Sequence, residues 1–283
     1  MNHRVLKSVA MLWLLGVGTA ILAAAAESPP AQAAAPLPSL VEATPARGFY
    51  DAPVMVRLDA RQPGAEIRFT IDGTEPTVAH SQLYATPLPL EHQAVLRAAL
   101  FDGNRRISAV ATHTYLFLDD VLQQAKAPPG LPNTWSGAPA AYAMDARVVN
   151  DPAYAPRLKE ALRSLPTLSV VCPPADLFNA RRGIYVNSLQ RGANWERACS
   201  LEWSAADGGA GFQVDCGLQI QGNYNRIPEK TPKHSFRVLF KDQYGPGKLK
   251  FPVFPDSPVK SFNTLILRAV ALADGSVWDA HNL

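Results

Sequence analysis

The chain has 283 residues, 47% of them hydrophobic and 18% charged, with a formal net charge of +3. Enough apolar mass is present to offset the entropy of ordering, which excludes a chain disordered throughout, and 25 Pro with 18 Gly at no short period exclude collagen-like and coiled-coil classes. At roughly 100–200 residues per domain, the length suggests two domains or three small ones.

Residues 1–26 read as a secretory signal. Arg4 and Lys7 form a positive head, Val9 to Ala26 is an uncharged apolar run, and Ala24-Ala25-Ala26 offers the small residues that signal peptidase needs. A retained membrane anchor is the alternative, because the run approaches the shortest membrane span. Membrane contact is expected only through an uncleaved signal. Cleavage leaves 25 basic against 24 acidic residues, a net of +1, so general attraction to nucleic acid has no support. Residues 27–42 are Ala/Pro-rich and read as a flexible or extended leader. The expected location is outside the cytoplasm: periplasmic, cell-surface or extracellular.

Residues 43–117 read as short strands separated by turns. Val54, Val56 and Leu58 alternate with Met55 and Arg57, and Ile67, Phe69 and Ile71 alternate with Arg68 and Thr70. Asp72-Gly73 and Asp102-Gly103-Asn104 supply turns, and Val95–Phe101 and Val110–Phe117 complete the set. This spacing, with no long helix between strands, argues a small antiparallel β-sandwich.

The pieces IRFTIDGTEPT, SQLYATPLPL and VLRAALFDGNRRIS in this stretch resemble the chitobiase/β-hexosaminidase C-terminal type of β-sandwich module. The resemblance implies an accessory or spacer module of exported bacterial proteins, sometimes credited with carbohydrate contact. It makes cell-envelope polysaccharide, or an envelope protein, the expected partner. Asp72 and Glu75 read as a turn residue and a solvated residue rather than a catalytic carboxylate pair. Tyr50, Phe69, Tyr84 and Tyr115 read as core rather than as a sugar-stacking platform.

Residues 118–165 read as a linker with short helices. Leu118–Ala127 is a helical segment stopped by Pro128-Pro129-Gly130. Leu158, Leu162 and Leu165 give a second helix one apolar face, expected to pack on the following domain.

From residue 166 onward the pattern is mostly antiparallel β with short helices. Strands are expected at Thr167–Cys172, Gly183–Asn187, His234–Lys241 and Thr264–Arg268. Between them, residues 199–203 and 212–221 flank a turn around Asp207-Gly208-Gly209. A hairpin centred between Asp207 and Gly208 sets Cys199 opposite Cys216, close enough for a disulfide or for two buried thiols. Cys172 is the third cysteine, and no CxxC or metal-ligand spacing exists.

The stretch from Arg226 to Lys250 carries seven basic residues against two acidic ones. Gly222 and Asn223 lead into it. Such a layout holds a phosphate between backbone N–H groups and Lys or Arg, or is merely a solvated basic hairpin. It is not a P-loop. The pieces LPTLSVV, GIYVN, ANWERACSLEW, GFQVDCGLQIQGNYNR, PKHSFRVLFKDQYGPGKLKFPVF and FNTLILRA resemble the CotH family of spore-coat-type atypical protein kinases. The resemblance implies an ATP and Mg²⁺ site in which Arg226, Lys233, Arg237, Gly222 and Asn223 lie on the phosphate side, with Gln221 standing where an Arg is usual. The family's metal-binding and catalytic carboxylates lie further downstream than residue 283. Residues 166–283 are therefore expected to be the N-terminal part of an α+β CotH-like domain without a complete catalytic site. The whole reads as a mainly β, two-domain binding or scaffold protein, with CotH-type kinase activity and carbohydrate binding as alternatives.

Overall fold

In the computed structural model, the nine strands from Val41 to Phe117 are β1 (Val41–Thr44), β2 (Gly48–Tyr50), β3 (Val54–Ala60), β4 (Glu66–Thr70), β5 (Gln82–Leu83), β6 (Leu88–Leu90), β7 (Ala94–Asp102), β8 (Arg105–Arg106) and β9 (Ala111–Phe117). The structure describes residues 37–269 apart from 39, 136, 137, 141, 207, 231, 232 and 255. The expected signal and most of the leader lie outside the described residues, as does the segment after residue 269. The described residues belong to one compact unit.

Strands β1, β3 and β6 form one sheet, and β2, β9, β7, β4 and β5 form a second, with β8 folded back on β7. Their facing sides share one core: Val41, Val56, Leu58 and Leu90 from the smaller sheet meet Phe69, Leu96, Leu100 and Tyr115 from the larger. Alternation along β3 sets this up, since Val56 and Leu58 point inward while Met55 and Arg57 face water. Burying each such aliphatic side chain contributes about 1.5–3 kcal/mol. Three details differ from the sequence reading. Val41 and Glu42 belong to a strand rather than to the leader. Ile71 falls beyond β4 and is exposed. One pair, β2 with β9, is parallel, because the chain crosses between the sheets after Thr44 and again after Tyr50.

The joint holds α1 (Leu118–Leu122), a minimal hairpin of β10 (Thr134–Trp135) and β11 (Ala138–Pro139), α2 (Ala146–Val149) and α3 (Leu158–Arg163). The sequence places α3 against the following domain through Leu165. Leu165, past the end of α3, is instead exposed, and the ion pairs of α3 run to α1, Lys159 to Asp119 at 2.6 Å, and to the sandwich, Arg163 to Asp51 at 2.5 Å. Leu158 and Leu162 of the same apolar face are half-buried.

The remaining elements are β12 (Thr167–Val171), α4 (Pro174–Phe178), β13 (Arg197–Ser204), β14 (Phe212–Gln221), β15 (Ser235–Leu239), β16 (Leu249–Lys250), β17 (Ser261–Phe262) and β18 (Thr264–Leu267). Five of these strands make an antiparallel sheet in the order β12-β13-β14-β15-β18. Its inward set, Cys199, Leu201, Val214, Cys216, Leu218 and Ile220, is buried in a second core. The expected strand at Gly183–Asn187 is not one. Ile184 and Tyr185 are buried, but their N–H groups bond locally to Asp176 and Leu177 carbonyls, so the segment is a series of turns. Ile184 and Tyr185 serve the core without a ladder, while Val186 is exposed. No helix among the described residues is long and apolar enough to cross a membrane.

The five-stranded sheet lies against the outer face of the large sandwich sheet. This explains why β7 and β9 are buried on both faces, including the polar Arg97, Thr112 and Thr114. At the seam, Glu202 of β13 is almost fully enclosed. Its carboxylate accepts hydrogen bonds from Arg47 Nε at 2.7 Å, Thr114 N at 3.2 Å and Thr114 Oγ1 at 2.5 Å. A buried charge is tolerated because it is both paired and hydrogen-bonded.

Candidate functional site

Two cavities bring charged side chains together. The first lies at the end of β14. Gly222 turns the chain there with φ near +106°, a conformation that a Cβ disfavours, and a 3₁₀ turn, Tyr224–Arg226, follows. A polar cavity of about 270 Å³ is lined by Arg191, Arg226 and Arg237 with Gln219, Gln221, Gly222 and Asn223. The sequence-derived residues Gly222, Asn223, Arg226 and Arg237 thus share one pocket. Lys233 is exposed and does not line it.

Arg226 is occupied by the framework. Its Nε donates to Gly222 O at 2.7 Å and Nη1 to Ser188 O at 2.8 Å and Gln190 O at 2.7 Å, while Nη2 donates to Ile220 O. Burial, and then the positive charges of Arg191 and Arg237, lower its pKa from the ordinary arginine value. The donors left to face the pocket are therefore Arg191 and Arg237. Arg191 Nη2 donates to Asn223 Oδ1 at 2.7 Å, and Arg237 Nε is buried without a hydrogen-bond partner. Three guanidinium groups with no carboxylate in the lining favour an anion. Arg191 and Gln219 were not singled out in the sequence. Arg191 lies in a turn far from β15 in the chain, and only folding brings it to Arg237.

The second cavity is the cleft at the seam, about 490 Å³, lined by sandwich residues such as Glu75, Arg97 and Arg106 and, from the other side, by Asp176 of α4, Asp215 of β14 and Tyr244 beyond β15. Burial pushes the Asp215 carboxyl up to about 6, although Arg97 opposes the shift. Gln213 Nε2 donates to Asp215 Oδ1 at 3.1 Å. Tyr244 donates its hydroxyl to Glu196 Oε2 at 3.0 Å, and Lys241 Nζ meets the same carboxylate at 2.6 Å. The alternation of β14 marks Gln213 and Asp215 as outward. It does not reveal that a second sheet covers them.

The floor of the cleft carries Cys199 and Cys216. They are direct partners across β13 and β14, in the register expected from the turn, and their sulfurs stand 3.4 Å apart as two thiols. Asp207, at the expected centre of that turn, lies outside the described residues. Cys172, just past β12, has its thiol pushed up to about 12 by burial, with Cys199 adding to the shift. Among the described residues, no three His, Cys, Asp or Glu side chains gather to hold a metal ion.

The remaining sequence candidates have framework roles. Asp72 Oδ1 accepts from Thr74 N at 3.0 Å and Thr74 Oγ1 at 2.6 Å, closing the turn. Glu75 is not merely solvated; it pairs with Arg106 at the rim of the cleft. Tyr115 is fully buried and donates to Pro45 O at 2.7 Å, Tyr84 accepts Leu58 N at 3.0 Å, and Tyr50 packs on Tyr115. Phe69 and Tyr115 are core, and Tyr50 and Tyr84 are half-buried against it, so all four rings pack on the sandwich interior.

Residues 45–112 match the family model of the chitobiase/beta-hexosaminidase C-terminal domain. This segment runs from the residue after β1 into β9 and so takes in most of both sandwich sheets. The match to the chitobiase/beta-hexosaminidase C-terminal domain stops short of the five-stranded sheet, and the CotH resemblance of that part finds no counterpart in the comparisons. No curated protein and no solved structure matches the chain.

Proposed function

We propose that the protein is an exported binding protein, a β-sandwich packed on a five-stranded sheet, that holds a phosphate-bearing polymer of the cell envelope. The carrying observation is the pocket in which Arg191, Arg226 and Arg237 converge with no carboxylate in the lining. A phosphate monoester or diester fits between the two facing guanidiniums, because each presents parallel donors that match its oxygens. The resemblance of residues 45–112 to a chitobiase/beta-hexosaminidase C-terminal domain supports a glycan context. The apolar run behind Arg4 and Lys7 supports export. In this reading the sandwich is a rigid partner of the sheet rather than the contact surface, since its four candidate aromatics serve the core.

Calorimetric titration with pyrophosphate, poly(glycerol phosphate) and the neutral polymers chitin and cellulose tests the reading. Saturable, salt-sensitive binding of the phosphate-bearing probes is expected, weakened about tenfold or more by Arg191→Gln with Arg237→Gln. Retention on neutral polymers alone, or no loss in the double variant, would remove it. A titration with ATP and Mg²⁺ addresses the CotH-type alternative. Transfer of label to a protein acceptor, abolished by Lys233→Ala, would replace the binding protein with a kinase.

A further inference from the structure

The cleft at the seam, about 490 Å³, lies within the size range of small-molecule sites and is walled by both parts of the protein. Five carboxyl or guanidinium side chains line it: Glu75, Arg97, Arg106, Asp176 and Asp215. Three of them have a countercharge close by. Glu75 pairs with Arg106, and Asp176 Oδ1 stands 2.9 Å from Arg182 Nη2.

Arg97 and Asp215 remain. Arg97, on the sandwich wall, is only 8% exposed, its Nε has no hydrogen-bond partner, and Nη1 reaches only Gly73 O at 3.5 Å. Asp215, on the wall of the five-stranded sheet, accepts from the neutral amide of Gln213 and from the Ser200 hydroxyl, both uncharged donors. Neither has an ion-pair partner among the described residues. A cation from one wall and an anion from the other thus border one void without touching. Each charge partly offsets the other's burial across the void, but no direct contact pairs either, so the fold retains an incompletely met demand of each sign.

That demand selects the ligand. An anion would satisfy Arg97 but meet the field of Asp215, and a simple cation would meet the reverse. A neutral sugar can bond to both and neutralises neither. We infer that the cleft binds a small zwitterion of dipeptide size, its carboxylate on Arg97 and its ammonium on Asp215. The ligand completes the charge pairing across the seam, so it also clamps the two parts together. This site is independent of the arginine pocket, which lies at the other end of β14.

Titration of the full chain with Ala-Ala tests this, with N-acetyl-Ala-Ala, Ala-Ala amide and cellobiose as controls. Saturable binding of Ala-Ala is expected, about tenfold weaker when either terminus is capped, the worth of one charge-assisted hydrogen bond. Arg97→Gln and Asp215→Asn should each weaken Ala-Ala similarly. N-acetyl-Ala-Ala, which lacks the ammonium, should lose nothing further in Asp215→Asn. Ala198→Trp, at an exposed β13 position on the cleft wall, leaves every charge in place and should block binding by filling the space. It keeps the test open should Arg97→Gln not fold. Failure of Ala-Ala to saturate the folded protein, equal binding of capped or neutral probes, or undiminished binding in Ala198→Trp would each overturn the inference.

Discussion

Arg47 and Glu202, 155 residues apart in the chain, form an ion pair of 2.7 Å across the seam between the sandwich and the five-stranded sheet. The Glu202 carboxylate is buried and also accepts from Thr114 of β9. Burial raises its pKa from the ordinary glutamate value, against the pull of Thr114 and Arg47. Removing the acceptor strands the Arg47 and Thr114 donors. Glu202→Ala should therefore cost about 3 kcal/mol. Urea unfolding checks the total. Hydrogen exchange at Thr112 and Thr114 checks the place, since these amides should open before those of β3.

Asp215 makes stability depend on pH with an unusual sign. Its pKa is about 6, raised mainly by burial with Glu75 adding to the shift and Arg97 and Arg106 opposing it. A carboxyl that holds its proton more tightly folded than unfolded costs stability above the folded value. That cost is relieved as pH falls from about 6 toward the ordinary aspartate value. At pH 7 it amounts to about 2–3 kcal/mol, since each tenfold change in proton affinity is worth roughly 1.4 kcal/mol. Asp215→Asn should stabilise the protein by that order at pH 7 and hardly at all at pH 4. Denaturation at both values measures it, and an equal effect at both would show that the carboxyl is not strained by burial.

The facing thiols of Cys199 and Cys216 predict a conditional disulfide. In the folded chain, burial and the mutual contact push the Cys199 thiol up, so thiolate is scarce and exchange slow. In the unfolded chain the thiols are free to react. On refolding with oxidised glutathione, one thiolate attacks the reagent and releases glutathione. The second then displaces the other glutathione and closes the bridge. The expected product bridges Cys199 to Cys216 with a mass loss of about 2 Da, leaves Cys172 alkylatable, and gains about 3 kcal/mol from the closed loop. Peptide mapping that finds Cys172 bridged, or all three thiols still alkylatable, would contradict it.

Arg226 donates to four backbone carbonyls that end β14 and anchor the turn after Asn187. Its planar fork reaches all of them at once, which an ammonium cannot do. Arg226→Lys and Arg226→Ala should both destabilise, the latter by about 3 kcal/mol or more. Thermal unfolding separates this from a ligand role. A variant that melts like the parent yet loses pyrophosphate binding would make Arg226 a contact residue instead.

Much of the β-framework is legible in local pattern. Strict alternation along Phe212–Gln221 gives the buried face of β14, and the turn at Gly208-Gly209 gives the pairing of Cys199 with Cys216. Hairpin register follows from loop length and the two-residue pleat, both of which are local. The pattern fails at Gly183–Asn187, where Ile184 and Tyr185 enter the core through turns, and at Leu165, which lies past the end of α3 and is exposed. At Gly183–Asn187 a non-local contact outweighs the periodicity, since the core takes Ile184 and Tyr185.

The mainly β character, the sandwich strands, the hairpin pairing and the basic stretch after Gly222 can all be read from the order of residues, because each rests on side chains a few positions apart. The burial of β9 against β13 cannot, since both faces look outward in their own strands. The same holds for the meeting of Arg191 with Arg237, the commitment of Arg226 to carbonyls, and the placing of Arg97 opposite Asp215. Those relationships depend on how one sheet docks on another, and docking is a property of whole surfaces that no local period encodes.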